Sequence, residues 1–192
     1  MITNALYLLV GKSASGKTTI ANIMEQKYGC KQVSSYTTRP PRYEGEIGHV
    51  FLTDDEFDNL GELVAYTEYN NHHYGTTAEQ LDKCNIYVVD VPGVETLLQK
   101  YKTDRQICIL YFDTTVYTRI KRMLDRHDSD MQIISRLLQD EEHDWFKQLD
   151  KLVWHYNHII GKNVDLYSIN ANGSQADVVE MVLYYMKRYA ED

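Results

Sequence analysis

Gly11, Gly16, Lys17 and Thr18 fall at the spacing G-x-x-x-x-G-K-T within the run Gly11-Lys12-Ser13-Ala14-Ser15-Gly16-Lys17-Thr18. Each of these residue types has a task beside a polyphosphate. Two glycines let a loop fold tightly enough for successive backbone N–H groups to face phosphate oxygens. A lysine in the next-to-last place reaches the terminal phosphates, and the following hydroxyl ligates Mg²⁺. The predicted site therefore comprises Gly11, Ser13, Ala14, Ser15, Gly16, Lys17, Thr18 and Thr19, around a nucleoside triphosphate that brings Mg²⁺ with it, Thr18 being the metal ligand.

Such a loop works only between a strand and a helix. Ala5-Leu6-Tyr7-Leu8-Leu9-Val10 is an apolar run that reads as a buried strand. Residues 18–28 read as a helix with Ile20, Ile23, Met24 and Tyr28 on one face, and its N-terminus adds partial positive charge at the loop. Apolar runs predict strands over 86–90 and 106–112, a short strand is expected over 31–35 and a last one over 165–169, with helices over 94–101, 115–125, 129–144 and 174 onward. Strands without alternation, separated by helices, predict a parallel sheet covered on both faces. The expected fold is thus a P-loop NTPase three-layer α/β/α domain.

The stretch 34–83 breaks that rhythm. Residues 36–49 are rich in Pro and Gly and read as turns. Thr53-Asp54-Asp55-Glu56 and Thr77-Ala78-Glu79-Gln80 are capping boxes, the first helix stopping at Gly61 and the second near Cys84. Between them, 63–69 and 72–74 predict a hairpin turning at Asn70-Asn71. One domain over 1–192 is expected, with a core of 1–33 and 84–192 and a small, mostly β excursion over 34–83. Within this excursion, Arg39 and Arg42 stand three apart in a stiff Pro-containing segment, where two guanidinium forks suit a phosphate monoester.

Composition excludes several classes. The 192 residues are 43% hydrophobic and 25% charged, ordinary values for a globular chain, and no apolar run approaches the length of a bilayer span. A net charge of −8 argues against nucleic acid as a bulk partner. Cys30, Cys84 and Cys108 are odd in number and widely spaced, which reads as reduced, cytosolic cysteine. Met1-Ile2-Thr3-Asn4 has no basic region, and no signal peptide is expected. His72 and His73 diverge on a strand, His155 and His158 read as packing or surface residues, and Asp140-Glu141-Glu142 reads as a solvated face.

The segment Ser35-Tyr36-Thr37-Thr38-Arg39-Pro40-Pro41-Arg42, with Gly45-Glu46, Gly48, Phe51 and Glu56-Phe57, resembles the GMP-binding segment of guanylate kinases. The resemblance continues through Tyr74-Gly75-Thr76, Asp90-Val91-Pro92-Gly93-Val94 and Lys121-Arg122-Met123 with Arg126, and covers about residues 5 to 140. It implies ATP-dependent phosphoryl transfer to a nucleoside monophosphate, GMP or dGMP, in the cytoplasm, with Mg²⁺ as cofactor and neither nucleic acid nor membrane as partner. Ser35, Arg39, Arg42, His49 and Tyr74 would bind the acceptor phosphate, while Thr76 and Asp90 would lie against the base. Alongside Lys17, the arginines Arg122, Arg126 and Arg136 would serve catalysis, from a helical lid over about 125–136.

Two positions depart from that pattern. His49 stands where the family has a tyrosine, and Ala65 stands where it has the glutamate that reads the guanine edge. Glu68 points to the opposite face of its strand and is no substitute. The departures leave room for another acceptor, either a different nucleoside monophosphate or ribose 1,5-bisphosphate. A non-catalytic module that binds phosphopeptides would not need Lys17 and Thr18.

Overall fold

The computed structural model describes residues 5–142 and 144–189; Met1–Asn4, read above as free of a signal-peptide pattern, lie outside the described residues. Strand β1 (Ala5–Val10) is the axis of the molecule, and all six of its residues are buried. Period-2 alternation sends Ala5, Tyr7 and Leu9 into one apolar cluster and Leu6, Leu8 and Val10 into another. A strand buried on both faces needs parallel neighbours on both edges, and β1 has them in β6 (Ile86–Val88) and β7 (Gln106–Asp113). With β8 (Val164–Asn170) beside β7, the order is β6-β1-β7-β8, all parallel.

Helices α1 (Lys17–Tyr28) and α8 (Gln175–Lys187) cover the Tyr7 face through Ile20, Ala21, Met24, Val178, Val179 and Val182. On the Leu8 face lie α4 (Val91–Lys100) and α7 (Trp145–His155), which supply Val94, Leu97, Leu98 and Leu149. This is the expected three-layer α/β/α arrangement.

A second four-stranded sheet has the order β3-β2-β5-β4, built from β2 (Ser35–Thr37), β3 (His49–Phe51), β4 (Leu63–Tyr69) and β5 (His72–Thr77). The hairpin turns at Asn70 and Asn71, both left-handed with φ of 52° and 59°, a conformation that asparagine tolerates. Both capping boxes form, at the starts of α2 (Asp54–Asp58) and α3 (Ala78–Asp82). Lys100 reaches from α4 to the Leu63 carbonyl oxygen at 3.3 Å, fastening β4 to the core.

Three boundaries differ from expectation. The strand predicted over 31–35 shrinks to one bridge, Gln32 to Ile86, and Ser35 instead opens β2 of the second sheet. Helix α2 ends at Asp58, short of Gly61, whereas α3 ends at Asp82, near Cys84 as expected. The helix predicted over 129–144 ends earlier, as α6 (Asp130–Glu141), and Asp144 lies outside it in non-helical geometry, its carboxylate accepting the Lys147 N–H at 3.1 Å to cap α7. Helix α5 (Val116–Asp125) precedes α6, and a π-helical turn over Tyr156–Ile160 continues α7.

Candidate active site

The phosphate loop leaves β1 where only glycine fits. A Cβ on Gly11 would meet the Phe112 carbonyl oxygen of β7 at 2.9 Å, and Gly16 has φ +99°, in the left-handed region. Ala14 also adopts a positive φ, 59°, an uncommon conformation for a residue with a side chain. The loop so formed wraps the Lys17 ammonium, which donates to the Gly11 carbonyl oxygen at 2.6 Å, the Lys12 carbonyl oxygen at 3.0 Å and Ser15 Oγ at 3.2 Å. Burial pushes the Lys17 pKa down to about 8, while the carboxylates of Asp140 and Asp90 act the other way.

Two cavities meet at this lysine. One, of about 200 Å³, lies between the loop and the second sheet; Gly11, Ser13, Lys17, Ser35, His49, Tyr74 and Asp90 are among its walls. The other, of about 280 Å³, runs along the outer side of the loop and is lined by Ala14, Ser15, Gly16, Lys17, Thr18, Thr19, Arg122 and Arg126, with Gly173, Ser174 and Gln175 from the start of α8. Arg122 donates to the Ser15 carbonyl oxygen at 2.9 Å and to that of Ala171 at 2.8 Å, so it braces the loop. Arg39, Arg42, Thr76 and Arg136 line neither cavity.

Arg39 and Arg42 are held by Glu46, a partner their spacing did not reveal. Arg39 donates in bidentate fashion to its carboxylate at 2.8 and 3.1 Å, and the Arg42 backbone N–H donates at 2.7 Å. Only 11% of the Arg39 side chain is exposed against 57% for Arg42, so Arg42 is the fork open to an incoming anion. His49 Nδ1 lies 2.9 Å from Ser35 Oγ, and its ring meets Tyr74 edge-on at 5.9 Å. Burial, with Arg39 next to it, pushes the His49 pKa down to about 4, so the ring is neutral at pH 7. Arg136 is tied to Asp128 at 2.6 Å, and its charge is felt at Arg42, where it adds to burial and Arg39 in lowering the pKa.

Thr76 is fully buried and donates its hydroxyl hydrogen to the Tyr87 oxygen at 2.9 Å, so Tyr87, not Thr76, reaches the first cavity. Thr67 and Tyr69 also line it, and both follow from strand parity, being two and four residues beyond Ala65 on β4. Ala65 itself is buried in the core. Asp90 caps α4 by accepting the Gly93 N–H at 2.9 Å; burial raises its pKa against that bond, the Thr67 hydroxyl and Lys17.

The acidic run expected to be solvated is not all solvated. Asp140 is buried, with its Oδ2 3.1 Å from Arg119 Nη1 and 2.9 Å from the Ser13 nitrogen, whose N–H it accepts. Arg119 is the largest fully buried side chain among the described residues, and its Nη2 lies 3.2 Å from the half-exposed Glu141. Burying an unpaired guanidinium is costly, so the carboxylate must turn inward. The sequence held a signal for this, because Asp140 stands seven residues after Ile133, the buried residue of the same helix.

Among the described residues no three His, Cys, Asp or Glu side chains gather to hold a metal. The exposed Thr18 hydroxyl on the wall of the second cavity is a hard oxygen donor of the kind Mg²⁺ accepts when phosphates supply other ligands. That donor set fits an ion carried in by the nucleotide.

No family model matches the chain. A guanylate kinase of Geobacter metallireducens is 31% identical over 145 residues, covering 68% of this chain and 70% of that one. The chain belongs to the guanylate kinase family. A guanylate kinase of Fusobacterium nucleatum is 26% identical over 188 residues, 90% of this chain and 99% of its own length. The crystal structure of guanylate kinase from Anaplasma phagocytophilum superposes with a TM-score of 0.54 at 14% identity, covering 99% of this chain and 88% of that one, which supports the fold.

Proposed function

We propose that this guanylate kinase family member is an ATP-dependent nucleoside monophosphate kinase that transfers the ATP γ-phosphoryl group to GMP or dGMP. The observation that carries the proposal is the position of Lys17, the residue common to the walls of both cavities. The outer cavity suits the donor triphosphate, through Ala14, Ser15, Gly16, Lys17, Thr18 and Thr19, with its γ-phosphate end reaching past Lys17 to Gly11 and Ser13 on the inner wall. The inner one suits the acceptor, whose phosphate would meet Ser35, His49 and Tyr74, while Arg42, outside the cavity wall and held in place by Glu46 with Arg39, would reach in to it and Asp90 would lie near the nucleoside.

An acceptor phosphate is already ionised near neutral pH, so its oxygen attacks the γ-phosphorus without a general base, and ADP departs with the bridging oxygen. Catalysis is then alignment and charge neutralisation by Lys17, Arg122, Arg126 and Arg136. Mg²⁺ held at Thr18 would neutralise charge on the β- and γ-phosphates. The excursion over 34–83 and a lid over 125–136 would close on the substrates and exclude water. Among the described residues no helix is long and apolar enough to cross a membrane, which agrees with a cytoplasmic enzyme working on small nucleotides.

A second reading keeps the reaction and changes the acceptor, and the buried Ala65 beside Thr76 motivates it. A coupled assay of ADP release across the common NMPs, dNMPs and ribose 1,5-bisphosphate separates the two. GMP and dGMP are expected to turn over; no turnover with any nucleotide would end the kinase proposal.

A further inference from the structure

In the phosphate loop, the Ser13 N–H already has an anion on it. Asp140 Oδ2 accepts that hydrogen at 2.9 Å, and the carboxylate shares the cavity wall with Lys17. It comes from the last turn of α6, four residues beyond Arg136 and so on the same side of the helix. We propose that Asp140 is a positioning residue that occupies the Ser13 N–H while the triphosphate site is empty, and that the arriving phosphate takes this donor from it and frees the end of α6. The inference rests on the triphosphate reading of the loop.

Electrostatics motivates both halves. Lys17, Arg119 and the N-terminus of α1 converge on the loop, and without an anion their charge would stand uncompensated in a largely buried place. Asp140 supplies the missing negative charge. A bound triphosphate brings several negative charges to the same spot, so the carboxylate becomes a like-charged neighbour competing for one N–H. Its departure leaves Arg119 with a partner, since Glu141 lies 3.2 Å from Arg119 Nη2 and also 3.0 Å from Lys12 Nζ. Release of the α6 end loosens the helix that carries Arg136, which in this state is held by Asp128 at 2.6 Å. Nucleotide binding and lid movement are thereby linked through one carboxylate.

The test is Asp140→Asn, which keeps the shape and an acceptor oxygen but removes the charge that strengthens the bond. Affinity for a non-hydrolysable ATP analogue and for inorganic tripolyphosphate, measured by calorimetry, is expected to rise by about fivefold, while kcat falls and acceptor KM holds. A residue that only anchors the fold would lower affinity and rate together, so unchanged or weaker binding by a folded variant overturns the proposal. Should the variant not fold, hydrogen exchange on the wild type decides. Adding tripolyphosphate should speed exchange at the C-terminal end of α6 and slow it in the phosphate loop, whereas unchanged or slower exchange in α6 overturns the proposal. Failure of the wild type to bind either probe would instead remove the triphosphate reading itself.

Discussion

Ala65 stands directly opposite Thr76 across the β4–β5 pair. Paired residues on one face have their Cβ atoms about 4.5–5.5 Å apart. Since Thr76 donates to Tyr87 at 2.9 Å, the hydroxyl end of Tyr87 lies within side-chain reach of position 65. The three residues form one unit: a short side chain at 65, a turned threonine, and a tyrosine that extends to the cavity in its place. The inner cavity, proposed above for the acceptor, therefore offers Tyr87, Thr67 and Asp90 near position 65.

The consequence for specificity is direct. With no carboxylate at 65, GMP is expected to be accepted but poorly selected over AMP. Ala65→Glu alone should lower Tm, because it overfills a buried position against Tyr87, at a cost of about 1–3 kcal/mol. Ala65→Glu combined with Tyr87→Leu should raise the GMP to AMP ratio of kcat/KM by about tenfold or more, the value of one buried hydrogen bond to a charged group. Steady-state kinetics on both substrates in all three proteins checks this. A wild type already preferring GMP by about four orders of magnitude would mean that another residue reads guanine.

Glu46 makes Arg39 and Arg42, proposed above to serve the acceptor, unequal. Arg42→Ala should raise acceptor KM by about tenfold or more, the loss of one charged hydrogen bond, with little change in Tm, since that side chain is 57% exposed. Arg39→Ala should raise acceptor KM and also lower Tm, because it strips the bidentate partner from a carboxylate that is only 6% exposed. ATP KM should move less in both. A collapse of ATP affinity with acceptor KM fixed would mean that donor and acceptor cavities are assigned the wrong way round.

The sheet core was legible because its signal is local: β1 and the body of β7 are unbroken apolar runs, and each cap residue precedes its helix by a fixed interval. The phosphate loop was legible for the same reason. What the sequence hid depends on pairing between distant residues. Asp140 carries the same letter whether it faces water or Arg119, 21 positions away. Tyr87 reads as a strand residue until its contact with Thr76 is known. Trp145 lines the first cavity from the first position of α7, a helix start that Asp144 caps and that the sequence did not mark.

His49 gives a pH signature. Its folded pKa of about 4 lies below the ordinary 6.5, so between those values the unfolded chain takes up a proton that the folded protein does not. The unfolded state is favoured as pH falls through this window, and the contribution of His49 to stability is lost between about pH 6.5 and 4. His49→Phe should therefore lose less stability between pH 7 and pH 4.5 than the wild type. Urea midpoints of both proteins at both pH values test it, the comparison cancelling the other acidic groups. Equal losses would mean that the buried ring does not stay neutral.

Lys17 gives the sharpest test of the chemistry. Its ammonium is spent on two carbonyl oxygens and one hydroxyl of its own loop when no phosphate is present. Those bonds break only if something more negative replaces them, and the transferring phosphoryl group is that partner. Lys17→Ala should leave the fold intact, since Gly11, Gly16 and the Asp140 bond to Ser13 still shape the loop, while turnover falls well beyond tenfold. Circular dichroism establishes the first and the ADP-release assay the second. A tenfold change corresponds to only about 1.4 kcal/mol of barrier. Activity within that margin would show that Lys17 stabilises the empty loop and nothing in the transition state.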